Sequence, residues 1–171
     1  CQRGEMQRAR KCSKKTKAKS NKDKTTTPTH FGQQVTCDEM ITRKADRLGI
    51  DPHKLCLIIH DIATKYTEAH PKGGKNVDTI AVALAMFSGD DKIEQLYCDG
   101  APELLRAAKE RGIRRIRKCL PGVHQNNSKI ERWIRKVLNK TRVVLAHSGM
   151  PTALWPLAIK HFCHAHNIEV G

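Results

Sequence analysis

Apolar positions recur along this chain in two periods, and the switches between them give an order of elements. "FGQQVTCDEM", residues 31–40, reads as a strand with Asp38 near its end. A polar stretch holding Gly49 and Pro52 follows. "HKLCLIIHDIATKYTEAHP" is the clearest β signal, and its extended halves, about Lys54 to Ile62 and Lys65 to Ala69, are expected to pair or run on as neighbours. In "NVDTIAVALAMFSG" the spacing of Val77, Ile80, Ala81, Leu84 and Ala85 is helical. "KIEQLYCD" reads as a strand, "PELLRAAKERG" as a short helix stopped by Gly112, and "IRRIRKCLP" as a basic strand at a sheet edge. After a loop, "GVHQNNS", comes the longest helix, capped by Asn127 or Ser128 and burying Ile130, Ile134, Val137, Thr141 and Val144. "HSGMP" breaks the chain before a final helix over "TALWPLAIKHFCHAHN". This order predicts an α/β fold, a mixed sheet with helices on its faces. Internal repeats are not visible.

Composition sharpens the picture. With 171 residues, 39% hydrophobic and 4% aromatic, the chain suits one domain with a modest core and a tail. A formal net charge of +15 points to a polyanionic partner, against the plainer reading of a solvated basic surface. Residues 1–24 hold ten basic side chains against Glu5 and Asp23 and read as a flexible basic linker. "TTTPTH" marks a boundary near Thr25 to His30, which divides the chain into a linker, 1–30, and a core, 31–171. The seven cysteines are scattered and odd in number, which favours reduced thiols in the cytoplasm or nucleus over a disulfide framework. No apolar run approaches membrane-spanning length and no signal peptide is visible, so a membrane is not an expected partner. The chain starts on Cys1 rather than methionine and is expected to be a piece of something longer.

The chemistry-bearing candidates are three acids. Asp38 and Asp99 end strands, and Glu131 opens the long helix within "NNSKIER". Three carboxylates from two strands and a helix can converge on a pair of divalent cations, which prefer oxygen ligands. Two such ions stabilise the attacking and leaving oxygens of an in-line phosphoryl displacement. Thirteen Lys and Arg lie between Arg106 and Arg142, opposed only by Glu110 and Glu131. A surface of one sign beside an acidic site suits a phosphate backbone, and the scarcity of aromatics argues against base stacking.

These residues resemble the D,D-E triad of retroviral-type integrase catalytic cores, over about Phe31 to Asn167. "YCDGAPEL" is similar to the family's strand, Asp, Asn-Gly and Glu-Phe segment, and "PGVHQNNSKIERWIRKVLNKTR" to its proline, glutamine, Asn-Gly and Glu-Arg helix. "MPTALWPLAIKHFCHAHN" resembles the tail of copia-type retrotransposon integrases, with Trp155, Ala158 and Asn167 in step, and "CQRGEMQRARK" the exit of an upstream His/Cys zinc module whose last ligand would be Cys1. The chain departs from the pattern at Gly100, Asn127 and Leu104. The resemblance implies a ribonuclease-H-like five-stranded mixed sheet flanked by helices. It implies a reaction in which water trims a donor DNA end and the freed 3′-hydroxyl attacks a target phosphodiester. It also implies two Mg²⁺ or Mn²⁺ ions, one bridged by Asp38 and Asp99 and the other held by Asp38 and Glu131. Asn126, Asn127 and Lys129 would lie near the DNA end, and Arg132, Arg135, Lys136 and Lys140 would add to DNA binding. Element ends and target DNA as partners, a homo-oligomer, and work in the nucleus after passage through the cytoplasm complete the expectation.

Plainer readings stand beside each of these. Asp99 can be a turn residue, and Glu131 can pair with Arg135 one helical turn on. Asp61, at the end of "LIIHD", competes with Asp38 but leaves a shorter spacing to Asp99, so Asp38 is preferred. His161, Cys163, His164 and His166 suggest zinc, yet His161 and Cys163 point apart on a helix. A catalytically decayed or domesticated copy that only binds DNA is the rival reading. A ribonuclease H would need a fourth acid, and no clear one is offered.

Overall fold

The computed structural model describes residues 27–41, 49–118 and 128–170. The basic linker of residues 1–24, Cys1, the loop holding Asn126 and Asn127, and the side chain of Lys129 lie outside the described residues. Five strands are present: β1 (Val35–Ile41), β2 (Leu55–Asp61), β3 (Thr67–Lys72), β4 (Gln95–Cys98) and β5 (Arg115–Lys118). Four α-helices accompany them: α1 (Val77–Ser88), α2 (Pro102–Glu110), α3 (Ser128–Ser148) and α4 (Trp155–Val170). A short 3₁₀ turn, Thr152–Leu154, leads into α4.

The strands form one mixed sheet in the order β3-β2-β1-β4-β5. β3, β2 and β1 are antiparallel neighbours, so the long β signal does fold back on itself. β4 and β5 run parallel to β1 and put the basic strand at the edge, as its composition suggested. β2 is buried throughout because helices cover both of its faces. Alternation sorts its side chains. Leu57 and Ile59 join one core with Ile80, Leu84 and Phe87 of α1 and Leu104 and Ala107 of α2. Cys56 and Ile58 join another with Val137 of α3 and Trp155 and Ile159 of α4.

The helices begin and end for local reasons. Asn76 caps α1 by accepting from Asp78 N at 3.0 Å. α2 starts on Pro102, whose fixed φ suits a first helical position, and gives way to Gly112 at φ +72°. On α3, Ile130, Val137 and Thr141 are buried, at the four- and seven-residue spacing expected of its inner face. Asn167 of α4 fixes that helix to the outer strand: its amide accepts from Thr67 N and donates to Thr67 O, both at 2.9 Å.

Candidate active site

β1 begins later than its sequence suggests, at Val35, and continues for three residues beyond Asp38. Asp38 nevertheless marks an end, because the pairing of β1 with β4 runs only from Val35–Leu96 to Thr36–Tyr97. Carried two residues further, the same register sets Asp38 beside Asp99. Facing follows from alternation. Val35 and Cys37 lie in the α1–α2 core with Leu96 and Cys98. Asp38 and Asp99 therefore face the other side, where α3 packs and where Glu131 occupies its first turn.

The electrostatics carry the mark of this grouping. The Asp38 carboxyl is pushed up to about 6, chiefly by burial. Glu39 N–H opposes the shift by donating to Asp38 Oδ1 at 2.8 Å. The negative charges of Asp99 and Glu131 add to it. Burial first, then Cys98, then Asp38 and Asp99 also hold the Cys37 thiol well above its usual range. Asp99 and Glu131 are both exposed to solvent. Asp99 has a turn role as well: its Oδ1 accepts from Ala101 N at 3.0 Å while Gly100 takes φ +87°, where a side chain would strain the backbone. The plain and the chemical readings of Asp99 are thus compatible.

Asp61 is decided by its surroundings. It is fully buried, with Oδ1 accepting from Gly32 N and Oδ2 from both the amide and the hydroxyl of Thr64. It faces Val35 at the start of β1 and secures two turns there. The histidine-rich helix is likewise structural in its contacts. Cys163 is buried with its thiol pushed up to about 12, mainly by burial, whereas His161 is exposed. His166 lies beside Trp133, which stacks on His60 at 4.5 Å between ring centroids.

Arg132, Arg135, Lys136 and Lys140 are exposed along α3. The Lys136 ammonium lies 4.5 Å from the centre of the Trp133 ring, a cation–π contact that holds it against the helix. Sequence reasoning left Arg117 within a general basic stretch. Its register partner is Tyr97, two residues before Asp99, over whose ring the guanidinium lies at 6.0 Å, so it stands on the acid-bearing face. The strand register, which local pattern does not reveal, makes that assignment.

Among the described residues, no three acidic, imidazole or thiol side chains stand in position to hold a single metal ion. The donor set does fit hard divalent cations in kind, since carboxylate oxygens are their preferred ligands. The raised Asp38 pKa, chiefly an effect of burial, also contains a smaller repulsion from Asp99 and Glu131, which a bound cation would offset.

No family model matches the chain, and no curated protein matches it. Among solved structures, the catalytic core domain of BIV integrase superposes with a TM-score of 0.52 at 14% identity, over 75% of this chain and 81% of that one. The fold is the ribonuclease-H-like fold of integrase cores. The five-stranded mixed sheet and its flanking helices bear out the expected architecture. Among the described residues, no helix is long and apolar enough to cross a membrane.

Proposed function

We propose that this chain is the catalytic core of a retrotransposon-type integrase, of the copia-like kind, acting on DNA ends by metal-dependent phosphoryl transfer. One observation supports the reading: the parallel β1–β4 register, continued two residues past its last pair, runs Asp38 and Asp99 out toward the sheet face covered by α3, whose first turn bears Glu131. Asp38 and Asp99 would hold one divalent ion, and Asp38 and Glu131 a second. Mg²⁺ or Mn²⁺ bound there supplies charge stabilisation to the oxygens of the transferring phosphoryl group.

The chain's own cations have a separate task. Arg117 on β5 and Arg132, Arg135 and Lys140 on α3 bind backbone phosphates and so hold a duplex in register with the acids. Asn126, Asn127 and Lys129 take the processed end, and Cys1 closes a zinc module upstream, both by the family resemblance. The protein works as a homo-oligomer on element ends and target DNA in the nucleus, after import from the cytoplasm.

A labelled donor-end duplex incubated with the chain, target DNA and Mg²⁺ or Mn²⁺ tests this. Joined products that disappear with Asp99→Asn support it. DNA binding without any joined or trimmed product, even with the zinc module restored, favours the decayed, binding-only copy. The absence of a ready three-ligand group among the described residues is the observation on that side.

A further inference from the structure

Asp38 and Asp99 lie beyond the end of the β1–β4 ladder, so the pairing of those strands does not itself set their separation. On the opposite face a line of charges crosses the same gap. Glu39, next to Asp38, forms an ion pair with Lys72 of β3, and both side chains are only 5% exposed. The second Glu39 oxygen, Oε2, is buried and has no hydrogen-bond partner among the described residues. Lys75 Nζ stands 3.7 Å from that oxygen and 3.2 Å from Glu103 Oε1. Glu103 is in the first turn of α2, just past Asp99, and Lys75 directly precedes Asn76, the cap of α1. One ammonium thus touches the segment that follows each acid, from a point anchored at the start of a third element.

We propose that Lys75 is a positioning residue for the acidic site: held between Glu39 and Glu103, its ammonium sets the spacing of Asp38 and Asp99. This rests on the reading of those two acids as a divalent-cation site. Burying Glu39 requires its charge to be compensated, and Lys72 engages only one of its oxygens. Without Lys75 the other oxygen loses its nearby cation, and the first turn of α2 is no longer tied to β1.

The sign of the effect separates positioning from plain electrostatics. Removing a positive charge close to a cation site should tighten cation binding by Coulomb's law alone. Removing a positioning contact should loosen it. The experiment is Mn²⁺ binding to the full chain, read from the free-ion paramagnetic resonance signal, in wild type, Asp38→Asn, Lys75→Met, Lys75→Arg and Glu103→Gln. The expected pattern is binding in wild type that Asp38→Asn removes. Lys75→Met should weaken it about tenfold, as removal of groups supporting metal ligands does. Glu103→Gln should act in the same direction, and Lys75→Arg should restore most of the affinity. Unchanged or tighter binding in Lys75→Met and Glu103→Gln overturns the inference.

Wild-type chain with no Mn²⁺ binding sensitive to Asp38→Asn overturns the cation-site reading instead. The tether is then judged without metal, by amide exchange at Ala101, whose N–H donates to Asp99 Oδ1. That exchange should quicken about tenfold in Lys75→Met and Glu103→Gln while β2 amides stay protected. Unchanged exchange at Ala101 overturns the tether.

Discussion

Asp38 is a partly buried carboxyl group with other acids near it, and its titration follows from that position, burial first. Folded Asp38 holds its proton up to about pH 6, whereas an aspartate in an unfolded chain releases it near about 3.9. Folding therefore takes up a proton between those values, and stability of the metal-free chain falls as pH rises through that window. Asp38→Asn imitates the protonated form. In EDTA its melting temperature should exceed wild type at pH 7.5 and match it near pH 4; an equal gain at both would exclude charge as the cause. His60 pulls the other way. Burial first, and Lys65 next, lower its pKa to about 4, so its neutral ring favours the folded state above about pH 6.5 and that contribution is lost as pH falls through about 4. The difference between variant and wild type is thus the quantity to read, rather than the wild-type profile. Glu131 gives a second expectation at this scale. Glu131→Gln keeps size and removes one ligand charge, so strand transfer should fall roughly 10²–10³-fold or more, with DNA affinity nearly unchanged. Wild-type activity in that variant would reduce Glu131 to a helix N-terminal charge.

The elements are held where they are by a few contacts whose loss has a calculable size. Asn167 joins α4 to β3 through both polar groups of the Thr67 backbone. Asn167→Leu leaves that N–H and C=O without their partner and should cost about 1–3 kcal/mol in urea denaturation. A smaller loss would mean that water replaces the amide. The resemblance singled out Asn167 within a family-like tail; the structure gives that residue a mechanical task. α3 has a different division of labour. Its inner face, through Ile130 and Val137, packs in the core, while its first turn presents Glu131. Trp133, two residues along, stacks on His60 and carries Lys136 on its ring, so one side chain serves both packing and the placement of a cation.

Over the whole molecule, the chain carries a net charge of +15. Under the proposed function, affinity for DNA and chemistry on DNA rest on different residues. Each phosphate contact releases counterions and adds about 0.9 to the salt slope of duplex binding. Replacing Lys136 and Lys140 together by Ala should lower that slope by up to about two contacts' worth, with Lys136 giving the smaller share because its ammonium lies on Trp133. Titration of binding against KCl checks this, and an unchanged slope would move the DNA path away from this side of α3. Asp99→Asn, by contrast, should leave the slope within error of wild type.

Much of the architecture was legible in local pattern. The sequence by itself determined the kind and order of the nine main elements, the burial of Ile80, Leu84, Ile130 and Val137, and the edge position of the basic strand. These depend on period and on turn residues such as Gly112, which act over a few positions. It also singled out Asp38 and Asp99, but not that their strands lie side by side. That pairing is a parallel contact between strands about sixty residues apart, selected by burial of both sheet faces rather than by anything within either strand. The same long-range choice made Asp61 a buried turn anchor, brought Arg117 to the acid-bearing face and set Lys75 between Glu39 and Glu103. Asp61 was visible beforehand as a rival to Asp38, and Arg117 and Lys75 only as charged residues, because the spacing of residues along one strand says nothing of which strand lies beside it.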